Sequence, residues 1–367
     1  MSDIRTMGFP GRYIQGPNAL LTLPQLIAEL KCRRISLLAD ATVRSAIGGS
    51  IDAALRESSQ AREIHTIWLE FPGECSAPVI AALVQKAGAC DTVVALGGGK
   101  TIDTGKGIAR HADARLIIVP TIASNDSPTS RLIVLYDEAH RVAGVELLAR
   151  NPDVVLVDTR VIARAPARFF AAGMGDALSK TFEANQCHLT SGRNFFGTLS
   201  LPTARLLADR CYQVILEFGE TALLQVATQH EPNDAVERVI EATVLLSGVG
   251  FESGGLSLAH ALVRGFSAHP VLGTFLHGEA VAFGTLVQLI AEGRPQAQIA
   301  QHAGLTRRLG LPASFSWFGV ERMGAAELDE IARITCTAPY IGHLHPKTDA
   351  AGVRAALELA DRIGSAA

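Results

Sequence analysis

Short apolar runs alternate with amphipathic segments through the first half of the chain. The runs have the length and β-branched content of strands, and the segments between them have helical spacing. The predicted strands are Ile35–Ala39, Ile64–Leu69, Thr92–Leu96, Leu116–Val119 and Val154–Val157. The predicted helices among them include Ile51–Arg56, Pro78–Gly88 and Thr101–Arg110. This alternation predicts a mostly parallel sheet with helices on both faces.

The pattern changes near Pro166, where β-branched runs nearly vanish and long Ala/Leu/Glu-rich segments follow. These predicted helices are Ala171–Cys187, Leu199–Phe218, Ala235–Leu246, Leu256–Phe266 and Gly278–Glu292, with two more near the C-terminus. Proline disfavours a helical conformation of the residue before it. We therefore predict an α/β nucleotide-binding domain over residues 1–165 and an all-α domain over residues 166–367.

Composition narrows the class of protein. Apolar residues make up 48% of the chain and charged residues 19%, so both domains can build a core. The net charge is −3 and no basic block stands out, which argues against nucleic acid or an anionic membrane as partner. The sequence shows no C-x-x-C pair, no signal-peptide pattern and no apolar run of membrane-spanning length. A cytoplasmic protein is the expectation.

Three consecutive glycines, Gly97, Gly98 and Gly99, follow the predicted strand Thr92–Leu96 and precede a helix. Such a turn lets backbone N–H groups approach an anion, and the helix dipole favours negative charge there. We expect a phosphate or pyrophosphate at this turn. The strict G-x-G-x-x-G motif is missing, and a P-loop would need glycine where Val94 stands. A plain strand-to-helix turn is the alternative.

Two further features favour a dinucleotide. Lys100 could place a cation beside the phosphates, and Asp40 follows a strand, where a carboxylate can accept a hydrogen bond from a ribose hydroxyl. That carboxylate would repel a 2′-phosphate and so favours NAD over NADP, although Arg44 lies nearby. The hydroxyl-rich segment 120–130 also follows a strand and is a candidate ligand loop.

The helical half contains a candidate metal site. Asp176 is expected near the first turn of its helix, His260 lies in an apolar helical segment, and His277 opens another helix. Alone, the carboxylate would more often be a helix cap, and His260 a hydrogen-bonded core residue. Together, two imidazoles and a carboxylate suit a catalytic Zn²⁺ or Fe²⁺ with an open position for substrate. His269 is a second-ranked candidate, and Glu279 is expected to orient or cap rather than bind metal.

Several stretches of the chain resemble the metal-dependent group III, or iron-containing, alcohol dehydrogenase family. They include 11–16, 73–76, 97–104, 120–124 and 172–178, and most specifically 248–256 and 277–279. The resemblance implies a dehydroquinate synthase-like architecture with the active site between an NAD-binding domain and a helical domain. It implies NAD-dependent oxidation of glycerol to dihydroxyacetone, and of related vicinal diols, by hydride transfer to the nicotinamide. Homo-oligomers, commonly octamers, are implied too.

The resemblance also assigns residues. It places the metal, usually zinc, on Asp176, His260 and His277, with His260 also at the substrate, and puts Asp126 beside the polyol. The implied cofactor positions are Asp40, Gly97, Gly98, Gly99, Lys100, Asp103, Thr121, Ser124, Ser130, Leu132 and Tyr136.

Two departures from the family pattern bear on substrate preference. The run after His260 reads Leu262-Val263-Arg264-Gly265, without a second histidine and with an arginine close to the expected site. Asn125 replaces a common threonine beside Asp126. A lyase resembling 3-dehydroquinate synthase, a glycerol-1-phosphate dehydrogenase and a non-catalytic regulator that binds nucleotide and metal remain alternatives. The first two need an anionic substrate, which Asp126 would repel.

Overall fold

The computed structural model describes residues 4–57, 64–138 and 140–366. Its strands are β1 Tyr13–Gly16, β2 Arg34–Ala39, β3 His65–Glu70, β4 Thr92–Gly97, β5 Arg115–Pro120, β6 Leu132–Tyr136, β7 Val142–Leu147 and β8 Val154–Asp158. Six of them form one parallel sheet in the order β1-β8-β5-β4-β2-β3, and β6 and β7 pair as a separate antiparallel hairpin. All five predicted strands are present within two residues of the predicted bounds.

The helices continue in chain order. They are α1 Leu23–Glu29, α2 Ala41–Glu57, α3 Ala77–Ala87, α4 Gly99–Ala112, α5 Thr159–Ala163, α6 Ala167–Ala177, α7 Lys180–Leu189, α8 Pro202–Gln229, α9 Asp234–Ile240, α10 Ser247–Gly254, α11 Leu258–Ala268, α12 His277–Ala291, α13 Gln296–Arg308, α14 Ala325–Thr335 and α15 Ala350–Ala366. A π-helical turn, Glu241–Leu246, joins α9 to α10. The described residues after β8 contain helices and no named strand, which confirms the predicted fold class.

The segment 171–187 is two helices rather than one. α6 ends at Ala177, and α7 begins at Lys180 after a short break. The predicted helix 199–218 extends further than expected, because apolar positions recur through Val226, which is fully buried in α8.

Three apolar clusters hold the molecule together. One packs α1 and α2 against one face of the parallel sheet, and another fills the C-terminal helices around Phe283. The third joins the opposite face of the sheet to α6, α8 and α9. The predicted boundary at 165/166 lies between α5 and α6, and this shared core crosses it.

No single helix in the described ranges is long and apolar enough to cross a membrane. One pair, 234–254 with 258–268, reaches that length and hydropathy only when combined, and it bends by 99° between its halves.

Candidate functional site

Three helices bring the predicted metal ligands together. Asp176 lies near the end of α6, His260 in the first turn of α11 and His277 at the start of α12. The Oδ1 atom of Asp176 is 3.2 Å from Nε2 of His260 and 3.7 Å from Nε2 of His277. One ligand atom from each of the three lies within 4.8 Å of the others.

The expectation that Asp176 sits in the first turn of its helix is wrong. α6 begins at Ala167 and ends at Ala177, so Asp176 is its penultimate residue and cannot cap its N-terminus. The glycines at 173 and 175 do not interrupt α6, because they lie buried where the helix packs against its neighbours.

A backbone contact between α6 and α12 sets the distance between two of the ligands. A methyl group on Gly278 would lie 1.8 Å from the carbonyl oxygen of Ala172, and one on Gly175 would lie 2.5 Å from the carbonyl oxygen of Gly278. Only residues without a side chain allow so close an approach. Since Gly175 precedes Asp176 and Gly278 follows His277, this contact brings the two ligands side by side.

Glu183, a residue that the sequence analysis missed, orients His260. Its carboxylate is fully buried and accepts hydrogen bonds from the backbone N–H groups of Ser257 (2.9 Å) and His260 (3.0 Å). The Nδ1 atom of His260 lies 2.6 Å from the second oxygen of Glu183. An imidazole that donates through Nδ1 to a carboxylate presents the lone pair of Nε2 to a metal. Here Nε2 faces Asp176.

Lys180, the second missed residue, is fully buried at the start of α7. Its ammonium nitrogen lies 2.5 Å from Oδ1 of Asp176, 2.8 Å from Oδ2 of Asp126 and 3.1 Å from Nε2 of His260. Lys180 thereby connects the loop after β5, which carries Asp126, to the helices that carry the candidate ligands. A buried lysine must be paired, and this one has two carboxylates.

The electrostatics of the cluster follow from these contacts. Burial alone would raise the pKa of Asp176, but the Lys180 ammonium and the two imidazoles outweigh it and hold that pKa well below its usual range. Burial would lower the pKa of His260, but Glu183 counters it and the pKa rises to about 9. The pKa of His277 is lowered, chiefly by burial. Asp176 is thus ionised and His277 neutral, which are the forms that bind metal, whereas His260 must release a proton before its Nε2 can bind the metal.

The residues present fit a divalent metal. The Oδ2 atom of Asp176 is buried and has no hydrogen-bond partner among the described residues, which is costly unless a ligand satisfies it. One carboxylate and two imidazoles form a donor set that suits Zn²⁺ and Fe²⁺ alike.

Other side chains near the ligand helices have different contacts. Glu279 caps α12 by accepting a hydrogen bond from the backbone N–H of Leu276, and its carboxylate also pairs with Arg168. His269 accepts from the backbone of its own turn and lies 3.4 Å from Glu327. Arg264, expected close to the site, is exposed and donates to the carbonyl of Thr337.

The glycine turn lies at the carboxyl edge of the parallel sheet. β4 ends at Gly97, Gly98 is the N-cap, and α4 begins at Gly99. The first N–H groups of such a helix have no partner within the helix, so they can bind an anion. The turn packs on the next loop: a methyl group on Gly98 would meet Ile122 at 2.8 Å, and one on Gly99 would meet Asn125 at 2.6 Å.

Asp40 and Lys100 lie at the same edge. One oxygen of Asp40 accepts from the backbone N–H of Val43 and caps α2. Arg44 is turned away, since it stacks 3.6 Å from the ring centre of Trp68 and pairs with Asp52. Lys100 pairs with Glu74 at 2.7 Å, so its charge is already balanced by a carboxylate.

Asp103 is engaged inside the protein. Its carboxylate accepts from Ser127 Oγ (2.6 Å), the backbone N–H of Val134 (3.0 Å) and the fully buried ammonium of Lys106 (3.0 Å). The Lys106 ammonium also lies 3.4 Å from Ser130 Oγ. These contacts order the loop between β5 and β6. The remaining predicted positions fall on that loop or on β6: Thr121, Ser124, Asp126, Leu132 and Tyr136.

Comparison with known proteins supplies a family. A family model described as iron-containing alcohol dehydrogenase matches residues 10–159. The chain is 37% identical to the glycerol dehydrogenase of Thermotoga maritima, over 98% of both proteins. It is 38% identical to a glycerol dehydrogenase of Escherichia coli, over 98% of this chain and 97% of that protein. A solved structure of a probable glycerol dehydrogenase from Sinorhizobium meliloti matches with a TM-score of 0.90 at 33% identity and covers 99% of each chain.

Proposed function

The chain belongs to the iron-containing alcohol dehydrogenase family and is an oxidoreductase, and we propose that it oxidises glycerol to dihydroxyacetone with NAD and a divalent metal. The observation that carries this proposal is the grouping of Asp176, His260 and His277, with Asp126 held against the same cluster by Lys180. The similar proteins of Thermotoga maritima and Escherichia coli are named glycerol dehydrogenase, which supports glycerol as the substrate.

Asp176, His260 and His277 would hold the metal, and the structure supports each in that role. Asp176 offers an ionised carboxylate, Glu183 aims Nε2 of His260 at it, and the α6–α12 contact brings His277 alongside. A divalent metal bound there supplies Lewis acidity that lowers the pKa of an alcohol. We propose zinc, which this donor set suits, as it does Fe²⁺.

The cofactor site would lie at the carboxyl edge of the sheet. We propose that the N-terminus of α4 binds the pyrophosphate and that Asp40 accepts a hydrogen bond from a ribose hydroxyl. Among the described residues no cation forms an ion pair with Asp40, because Arg44 pairs with Asp52 and stacks on Trp68, and this favours NAD over NADP. NAD supplies the hydride acceptor.

Asp126 is the proposed polyol contact, since its carboxylate can accept from a substrate hydroxyl. The carboxylate of Asp126 pairs with the Lys180 ammonium, so its negative charge is compensated. A carboxylate neutralised by a buried ammonium repels an anionic substrate much less than a free one does. Charge at Asp126 therefore does not exclude a phosphorylated substrate, and the substrate test must include one.

The test follows NADH absorbance at 340 nm with NAD⁺ and a panel of glycerol, 1,2-propanediol, 2,3-butanediol and glycerol 1-phosphate. We expect glycerol turnover that a chelator removes and zinc restores. The variant His277→Ala should lose both turnover and bound zinc while its far-UV circular dichroism stays unchanged.

A matched control is His188→Ala, which removes an exposed histidine from α7. It should keep wild-type turnover and zinc content. Turnover of glycerol 1-phosphate alone would replace the proposal with the phosphorylated-substrate alternative. No turnover of any panel member by zinc-replete protein would favour a lyase or a regulatory binder.

A further inference from the structure

Two lysines in the described part of the chain have fully buried side chains, and only one of them touches the candidate metal ligands. Lys106 contacts Asp103 and the loop 127–132, whereas Lys180 contacts Asp176, Asp126 and His260. The Lys180 contacts include Oδ1 of Asp176 and Nε2 of His260, two candidate ligand atoms that lie 3.2 Å from each other. The role of Lys180 therefore goes beyond neutralising a single carboxylate.

The net charge of the cluster follows from its buried ionisable side chains. Asp126, Asp176 and Glu183 contribute three negative charges. Lys180 contributes one positive charge, which the carboxylates of Asp126 at 2.8 Å and Asp176 at 2.5 Å stabilise. The fixed net charge is thus −2 when both histidines are neutral. A divalent cation brings the total to zero, and neutrality matters because uncompensated charge is costly in a protein interior.

We propose that Lys180 sets the charge and the metal affinity of this site, and that it holds Asp126 in place for the substrate. The inference rests on the proposed function, since it assumes that Asp176, His260 and His277 bind a divalent metal. The ammonium and a divalent metal held by Asp176 would carry like charges beside the same carboxylate. Lys180 therefore weakens metal binding while it positions Asp126.

Removing the lysine should therefore strengthen metal binding and weaken the binding of glycerol. In Lys180→Met the fixed net charge becomes −3, and competition for Asp176 and His260 disappears, so zinc should bind more tightly. The gain should be roughly tenfold or more, because unit charges a few ångströms apart interact strongly even when screened by the protein. Asp126 loses its ion-pair partner, so KM for glycerol should rise while KM for NAD⁺ stays near the wild-type value. Loosening of the fold alone would weaken both zinc and glycerol binding.

The experiment measures the zinc Kd of the full-length protein by competition with a chromogenic chelator, after dialysis to remove metal. Circular dichroism establishes that each variant is folded. Lys180→Arg keeps the charge and should stay within a few-fold of wild type. Lys106→Met removes the other buried lysine, which does not contact the ligand cluster, and should leave the zinc Kd unchanged. If Lys180→Met fails to fold, Lys180→Gln gives the same charge change with a hydrogen-bond donor retained.

Tighter zinc binding with a raised KM for glycerol is the expected result. Unchanged or weaker zinc binding by a folded Lys180→Met or Lys180→Gln protein would overturn the inference, although the proposed function would stand if wild type binds zinc and turns over glycerol. A wild-type protein that binds no zinc would instead overturn the metal-dependent function itself.

Discussion

Glu183 offers a sharp test of how the site is built, because it acts on the metal only through His260. In Glu183→Gln the side-chain shape is kept and the charge is lost. The remaining carbonyl oxygen can still accept from the backbone N–H groups of Ser257 and His260. The new NH₂ group then faces Nδ1 of His260, where the carboxylate oxygen lay at 2.6 Å.

That substitution places a donor against a donor. The conflict is relieved if the imidazole carries its proton on Nε2 instead of Nδ1, but Nε2 is then no longer available to a metal. To bind metal through Nε2, His260 must carry its proton on Nδ1 again, where that proton opposes the new NH₂ group. Losing the partner of a metal-ligating histidine typically costs 10–100-fold in metal affinity, which corresponds to about 1.4–2.8 kcal/mol. The absence of a negative charge beside the site acts in the same direction.

The assay is the zinc Kd from chelator competition, compared with the thermal unfolding midpoint of each protein. Glu252→Gln is the matched control. Glu252 is also fully buried, but its carboxylate accepts from Arg131 and Asn151 rather than from a histidine. The control should lose stability and keep its zinc Kd. A Glu183→Gln protein that binds zinc as wild type does would show that Glu183 does not control His260.

Two more substitutions probe the surrounding structure. Gly278→Ala should destabilise the protein by roughly 3 kcal/mol and weaken zinc binding, because the added methyl meets the Ala172 carbonyl at 1.8 Å. Urea unfolding measures the change in the free energy of unfolding. The control is Gly304→Ala, whose added methyl meets only a flexible arginine side chain at 3.3 Å, and it should be neutral or stabilising by up to ~1 kcal/mol. His302 is buried with no hydrogen-bond partner among the described residues, and burial lowers its pKa to about 4. The stabilising contribution of its neutral form is complete above the unfolded-state pKa of about 6.5, and the free energy of unfolding falls by about 3 kcal/mol as the pH drops toward 4. His302→Leu should flatten that decline in urea titrations at pH 7 and pH 4.5, and an equal decline in both proteins would count against this explanation.

The sequence predicts the central strands of the sheet because their burial is nearly uniform. β4 and β8 are buried along their whole length, and such strands appear as unbroken apolar runs. β1 was missed because it is a four-residue, half-buried strand at the sheet edge. The β6–β7 hairpin was missed because β7 is largely exposed and carries no clear alternation.

The residues of the site also differ in whether the sequence alone can predict them. Asp176, His260 and His277 each favour a structural role when taken alone, and only the set of two imidazoles and a carboxylate, together with the family resemblance, indicates a metal site. Lys180 and Glu183 gain their roles only from distant partners. Asp126 precedes Lys180 by 54 positions, and Glu183 and His260 are 77 residues apart. No local pattern encodes such pairings. A lysine and a glutamate within mostly buried α7 are nevertheless a signal, because isolated charges are rarely buried.

The backbone contact between α6 and α12 has a consequence for how freely this protein can change. The spacing of Asp176 and His277 depends on main-chain atoms meeting at Gly175 and Gly278, and not on the shapes of neighbouring side chains. Exchanges among Ala, Leu and Val elsewhere in the helical core can therefore accumulate without altering that spacing. A library that randomises those core positions and leaves the two glycines intact should retain metal binding across many divergent sequences. The same helices could then accept new substrate-facing residues while the metal ligands keep their places.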